Sequence, residues 1–287
     1  MSAPAAAPTS VAVIGLGRMG GSIADHIIAA GHDVRVYDIA EKAVAPRVAA
    51  GATASSSPAD AARGASFVNV VVFDDPQAVA VVAGDDGVLT TLEAGSVVSI
   101  HTTVSLDTID DLAARAEAQG VFVLDAGISG GEDGAAAGTL LTMVGGPADA
   151  VDRARPVLLS FSKEVLHPGP LGAGMALKLA RNSTGYVMMA AVHEAMELAA
   201  RSGVDLELLR HTIAETGVLE QALVPLSLGG PEPMDETAPE GLRTVLEHTN
   251  RLAEKDLDQA LDLAAGNGAS VPVIDAVRRN FHRVVRL

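Results

Sequence analysis

Val13-Ile14-Gly15-Leu16-Gly17-Arg18-Met19-Gly20 closes one short apolar run and opens a stretch of helical period, residues 19–30. Glycines spaced G-x-G-x-x-G between a strand and a helix suit a dinucleotide's pyrophosphate. Gly15 allows the tight turn, Gly17 lets the phosphates approach the backbone, and Gly20 lets the helix pack closely on the sheet. The helix amino terminus adds free N–H groups and a partial positive charge. Leu16, Arg18 and Met19 fill the variable positions of the loop and count with its glycines as cofactor-binding candidates. Asp38 ends the next apolar run, 23 residues after Gly15. A carboxylate there accepts hydrogen bonds from the adenosine ribose and repels a 2′-phosphate, which favours NAD. The other reading of Asp38 is a helix cap. Arg35 and Lys42 are near enough in sequence to leave NADP as the alternative.

Outward from this loop, residues 11 to about 125 alternate Val/Ile-rich runs with Ala-rich amphipathic stretches, the pattern of a parallel sheet covered by helices. Strands are expected at 11–14, 34–37, 67–73, 97–100 and 121–124, then at 139–144 and 164–167. Helices or turns are expected at 19–30, 41–50, 58–63, 76–82, 106–119 and 148–159. Past Pro168-Gly-Pro-Leu-Gly172 only helical periods continue, at 174–202, 205–215, 243–265 and 272–285. Residues 1–10 are read as a flexible tail, 11–168 as a dinucleotide-binding domain and 169–287 as an all-helical substrate and oligomerisation domain. The acidic, Gly/Pro-rich residues 229–241 read as a surface loop.

Composition removes several classes of function. The formal charge of −16 opposes a polyanionic partner, and no basic stripe with interleaved aromatics offsets it. Without cysteine there is no disulfide, thiolate metal site or thiol nucleophile, which is compatible with a reducing, cytoplasmic setting. No apolar run approaches the ~20 residues of a membrane span, and residues 1–10 lack the features of a signal peptide. The histidines show no ligand spacing, so no metal site is expected.

Three further groups carry candidate chemistry. Lys178 and Asn182 lie at i, i+4 on one helical face, where an amine and an amide reach the same substrate oxygen. Near a helix start and at the mouth of an expected cleft between domains, Lys178 would shed its proton more readily, as a general acid/base requires. Ser129-Gly130-Gly131 ends a strand in a turn whose amides and hydroxyl suit a carboxylate; a turn chosen for geometry reads equally well. His101-Thr102-Thr103 follows another strand and would face the nicotinamide side. Late in the chain, Lys255-Asp256 and His248 share a helical stretch, either as site residues or as an ordinary charged surface.

In this order the motifs resemble the β-hydroxyacid dehydrogenase family, the group of 3-hydroxyisobutyrate dehydrogenases and related semialdehyde reductases, over nearly the whole chain. The quoted matches are Gly15 to Gly20, Asp125 to Gly138, Gly169 to Asn182, and Lys255-Asp256-Leu257. The resemblance implies a Rossmann-like, doubly wound α/β domain followed by an all-helical domain, assembled as a homodimer or homotetramer. It implies a small carboxylate substrate held by Ser129, Gly130 and Gly131, with Lys178 as general acid/base and Asn182 assisting. Phe73 and Thr103 fall at the cofactor rim, and Lys255 with Asp256 would close over cofactor and substrate.

Three positions depart from the family pattern. Gly127-Ile128 stands where Pro-Val is common before Ser129, and Phe73-Asp74-Asp75 replaces Leu-Pro-Asp, placing acid near the cofactor rim. His248 replaces a Phe seven residues before the Lys-Asp pair; as a substrate-binding residue facing the cleft it implies a substrate more polar than 3-hydroxyisobutyrate, or a pairing of the imidazole with the substrate carboxylate. The alternatives are an imine reductase-like enzyme, against which Lys178 and Asp38 argue, and a cofactor-binding interaction module without catalysis. The expected reaction interconverts a 3-hydroxycarboxylate and its semialdehyde or ketone with NAD.

Overall fold

The computed structural model describes residues 9–228 and 230–287. Eight strands form one sheet: β1 (Ser10–Ile14), β2 (Asp33–Tyr37), β3 (Thr53–Ala54), β4 (Phe67–Val70), β5 (Val97–Ile100), β6 (Phe122–Ser129), β7 (Leu140–Gly145) and β8 (Ser162–Gly169). Their order across the sheet is β3-β2-β1-β4-β5-β6-β7-β8. Every neighbouring pair is parallel except β6 and β7. Between the strands run α1 (Gly20–Ala29), α2 (Glu41–Ala49), α3 (Pro58–Ala62), α4 (Asp75–Ala83), α5 (Leu106–Glu117), α6 (Gly131–Ala136) and α7 (Ala148–Leu158). The remainder is α8 (Ala173–Arg201), α9 (Leu206–Glu215), α10 (Val218–Gln221), α11 (Val224–Ser227), α12 (Glu240–Asn267) and α13 (Pro272–Val284). This is an α/β fold, a Rossmann-like doubly wound sheet followed by a helical region.

The apolar runs become strands because the sheet is covered on both faces. Val11 and Val13 point into a core shared with Ile23 and Ile27 of α1 and Val151 and Leu158 of α7. Ala12 and Ile14, alternating to the other face, join Val82 of α4 and Ile109 and Leu112 of α5. Side-chain caps fix where several helices start. Ser57, Asp74 and Ser105 accept from the N–H groups of Asp60, Gln77 and Thr108, each satisfying a donor that the helix itself leaves open.

Two compact units are present, Met1–Asn182 and Ser183–Leu287, and their division falls within α8. Of the tail expected over 1–10, residues 1–8 lie outside the described residues, and Ser10 opens β1.

Two strands differ from expectation for physical reasons. The run 67–73 ends its strand at Val70 because, after the Val71 N–H has bonded the Ile14 carbonyl, the following amides leave the ladder: Val72 N–H donates to Thr102 Oγ1 and Phe73 N–H to Gln77 Oε1. The strand expected to end at Leu124 continues to Ser129, since Asp125–Ser129 pair antiparallel with Leu141–Gly145. Its pairing with β5 ends at Ile100↔Asp125, so the last four residues of β6 outrun β5. The short elements β3, α6, α10 and α11 carry too few residues for a period to show.

Candidate active site

Where β1 lies between β2 and β4 the strand order reverses, and in open α/β sheets ligands bind at that point beyond the carboxyl ends of the strands. A cavity of ≈ 780 Å³ occupies this place. Gly15, Gly17, Arg18, Met19 and Gly20 line it together with Asp38 and Phe73. The glycines divide their work as the motif requires. A Cβ on Gly15 would lie 2.4 Å from the Val71 carbonyl oxygen, and one on Gly20 would lie 2.0 Å from that of Gly15. Around Gly17 the same test finds open space, so bare backbone faces the cavity where a pyrophosphate would approach. The residues present therefore fit a dinucleotide. Leu16 is buried below the loop and contributes its N–H rather than its side chain.

That N–H goes to Asp38. Asp38 Oδ2 accepts from Leu16 N at 2.6 Å and Oδ1 from Ala40 N at 2.8 Å. This carboxylate organises the turn into α2 and lines the cavity; it is not the helix cap, since Ala40 is the N-cap of α2 and no side chain caps that helix. Arg35 is turned to other work, with Nη2 3.1 Å from Asp60 and Nη1 on the Arg63 carbonyl. Lys42 is exposed on α2.

The acids expected at the rim are structural. Asp74 caps α4. Asp75 Oδ1 accepts from Ser105 N, Ser105 Oγ and Thr108 Oγ1, joining the starts of α4 and α5. The Thr108 hydroxyl and the Ser105 amide hold its carboxyl below the usual range. Phe73 itself remains at the rim, 85% exposed.

His101 and Thr102 do not face the nicotinamide side as their position after β5 suggested. His101 is 3% exposed, edge-on to Phe161, with Nδ1 2.8 Å from the Ala126 carbonyl and Nε2 2.9 Å from Asn69 Oδ1. Burial pushes its pKa down to about 4, so the ring is neutral and has one N–H to give. With that N–H on Ala126, Nε2 must accept. The Asn69 amide nitrogen, otherwise without a partner, supplies the donor once the amide is turned over. Thr102 Oγ1 is spent on the Val72 backbone, while Thr103 is exposed.

Lys178 lies where α8 crosses β6. Asp125, fully buried in that strand, accepts from Gly172 N at 2.7 Å and Met175 N at 2.5 Å. Burial pushes its carboxyl above the usual value against the pull of these amides. Glycines bring helix and sheet into backbone contact: a Cβ on Gly174 would lie 2.5 Å from the Met143 oxygen and 2.8 Å from that of Asp125. One turn on, Lys178 is 9% exposed, its stem against Gly127. Burial first, and the Arg181 guanidinium second, hold its ammonium below the ordinary lysine range. The helix-dipole contribution expected from sequence is secondary, since that effect fades beyond the first turn.

Strand alternation puts Ser129 on the same face of β6 as Gly127, the face on which Lys178 lies. After Ser129 the chain turns through Gly130 (φ 135°) and Gly131 (φ 67°) into α6. Arg18 of the cofactor loop reaches this turn, 2.8 Å from Glu132. Asn182 is partly buried on α8, four residues beyond Lys178. His248, Lys255 and Asp256 belong to the helical unit. All three are exposed on α12, and Lys255 Nζ pairs with Asp256 Oδ1 at 2.9 Å.

Asp125 and Gly127 are the contributors that motif reading left without a role. Their signals were an acid and a glycine inside an otherwise apolar strand, each of which calls for a close partner.

The family model for the NAD binding domain of 6-phosphogluconate dehydrogenase matches residues 10–169. A 3-hydroxyisobutyrate dehydrogenase of Pseudomonas aeruginosa is 35% identical over 95% of this chain and 91% of its own. The chain belongs to the β-hydroxyacid dehydrogenase family. An NAD-dependent L-serine dehydrogenase of Pseudomonas aeruginosa is 34% identical, covering 92% of this chain and 88% of its own. An imine reductase from Myxococcus stipitatus, solved with NAD+, superposes with a TM-score of 0.81 over 97% of this chain and 94% of its own. At 21% identity that likeness concerns the fold. As a β-hydroxyacid dehydrogenase family member the protein is an NAD(P)-binding oxidoreductase acting on a small molecule. Among the described residues no helix is long and apolar enough to cross a membrane.

Proposed function

We propose that the protein is an NAD-dependent dehydrogenase interconverting a small 3-hydroxycarboxylate and its semialdehyde or ketone, with Lys178 moving the hydroxyl proton. The observation that carries this reading is the buried Lys178 amine on the Ser129 face of β6, with its proton affinity lowered by burial. An amine so placed takes a proton from a carbinol oxygen near neutral pH more readily than a solvated lysine. The bound nicotinamide supplies the hydride acceptor. Ser129 Oγ and the amides of Gly130 and Gly131 hold the substrate carboxylate. Four helical residues advance about 6.0 Å and two strand residues about 6.8 Å, so the stepping that sets Lys178 beside Gly127 supports Asn182 at the level of Ser129. There its amide orients the amine or the substrate oxygen.

The charge of Asp38 beside the ribose end of the cavity, with Arg35 committed to Asp60, supports NAD over NADP. The relatives' names favour substrates of the form HOCH2–CHX–COO−, in which X is methyl for 3-hydroxyisobutyrate and amino for serine. The roles of Lys255 and Asp256, and of Thr103 and Phe73 at the cofactor, rest on the family resemblance, and a substrate contact by His248 on its replacing the family's Phe.

Assembly into at least a homodimer is part of the same reading. Leu226 is 81% and Met189 70% exposed in the helical unit, with Tyr186, Val187 and Leu208 also bare. Apolar side chains left bare on three helices of this unit support an interface in the assembled protein.

The test is nicotinamide absorbance turnover with NAD and NADP over a panel of 3-hydroxyacids and semialdehydes, wild type beside Lys178→Ala. The expected loss of kcat is about 10²–10⁴-fold. A Lys178→Ala enzyme that keeps most of its kcat overturns the assignment.

A further inference from the structure

We propose that Arg18 and Glu132 together set the charge of the substrate turn, and that Arg18 is the specificity-determining residue that lets this turn accept an anion. The inference rests on Ser129, Gly130 and Gly131 as the place of the substrate carboxylate and adds what keeps that place from repelling it.

Glu132 follows Gly131 directly, in the first turn of α6. Neighbouring Cα atoms lie about 3.8 Å apart, so the turn offered to a carboxylate carries a carboxylate of its own close by. Like charges at such short range destabilise each other even through water, and the chain's net charge of −16 adds to the repulsion. Arg18 answers this charge from 114 residues away in sequence, with Nη1 2.8 Å from Glu132 Oε1. Among the described residues lining the cofactor cavity Arg18 is the one cation, in company with the acids Asp38 and Asp86. The cation of the cavity is therefore held by the acid of the substrate turn.

The fold brings these two residues together independently of their long side chains. At its far end α6 is seated on α1: His26 Nε2 lies 3.0 Å from the Ala136 carbonyl oxygen, and a Cβ on Gly138 would lie 2.8 Å from Cε1 of the same ring. Between these points Ala135 shares a core with Ile23 and Ile27 of α1. The helix that begins at the glycine loop thus carries α6, and with it Glu132, beside Arg18. The two side chains are 83% and 58% exposed. An exposed pair contributes little to stability, so the consequence of this one is the electrostatic potential at the turn.

Removing one charge at a time unbalances the turn in opposite directions. The test is a charge cycle on the full-length chain: KM for the best acid of the panel, at saturating cofactor, in Arg18→Met, Glu132→Gln and the double variant, at about 20 mM and about 0.5 M salt. At low salt KM rises about 3–10-fold in Arg18→Met, where Glu132 is left bare, and falls about threefold in Glu132→Gln, where the guanidinium is left bare. In the double variant it returns to within about twofold of wild type. At high salt, where the Debye length is about 4 Å, the differences collapse. A rise in Arg18→Met that persists in the double variant overturns the inference, because Arg18 then serves substrate or cofactor directly and not through Glu132. Unchanged KM in both single variants, beside a raised KM in Ser129→Ala, overturns it while the carboxylate site stands. If Ser129→Ala is also without effect, the carboxylate reading falls and the inference falls with it.

Discussion

The Asp38 carboxylate holds the Leu16 N–H at 2.6 Å, so the residue that closes β2 both shapes the glycine loop and turns its charge toward the cavity. Removing the charge should cost NAD its ribose partner and free NADP from repulsion. For Asp38→Ala the ratio of kcat/KM for NAD to that for NADP should fall by about tenfold or more, equivalent to roughly 1.4 kcal/mol. Steady-state kinetics with both cofactors check it, and an unchanged ratio removes Asp38 from cofactor choice.

With Ser129 in the proposed role of holding the substrate carboxylate, Ser129→Ala should raise KM more than it lowers kcat. A hydrogen bond to a charged group contributes roughly 1.5–3 kcal/mol, so KM is expected to rise about 10–100-fold. Initial rates with the best acid of the panel decide it; a KM within twofold of wild type contradicts the carboxylate contact.

Asp125→Ala should destabilise the sheet-bearing unit. The N–H groups of Gly172 and Met175 lose their acceptor in a buried setting, at about 1–3 kcal/mol each. Urea unfolding followed by circular dichroism should show a lower midpoint, with Asp125→Asn between the variant and wild type. A midpoint equal to wild type in Asp125→Ala would mean that these amides find another acceptor.

His101 predicts a pH dependence with a definite sign. Its folded pKa of about 4 lies below the ordinary 6.5, so the unfolded chain binds the proton more tightly. The stability contributed by the neutral ring is complete above pH 6.5 and is lost as pH falls toward about 4, on the order of 3 kcal/mol in all. In His101→Gln, which does not titrate, the fall in Tm between pH 7 and 5 should be shallower than in wild type. Parallel slopes would contradict a buried neutral imidazole.

Sedimentation velocity should find a particle of at least twice the 29.1 kDa chain mass. A monomer at micromolar concentration would leave the bare apolar residues of the helical unit to another partner.

The fold was readable because its evidence is periodic and local. Val11–Ile14 and Val97–Ile100 declare buried strands, and Gly15, Gly17 and Gly20 declare the turn between them and the first helix. The extension of β6 was hidden because Asp125 and Gly127 break the apolar run that marks its start, whereas the chain turns only at Gly130-Gly131. His101 misled for a related reason: position after a strand suggests a rim, but the contacts with Phe161 and Ala126 that bury the ring come from residues distant in sequence. Asp74 and Asp75 likewise read as rim charges until the start of α4 that Asp74 caps, and the start of α5 that Asp75 holds, were in view.

The joint at the start of α8 also sets what the chain can tolerate in length. Between Met175, tied to Asp125, and Lys178, seated on Gly127, there are two residues of continuous helix. One inserted or deleted residue rotates everything beyond it by about 100° around the helix axis. Lys178 would leave the strand and a neighbouring leucine, Leu177 or Leu179, would take its place. This segment is a ruler with no slack: its length is fixed at both ends by the strand it lies on.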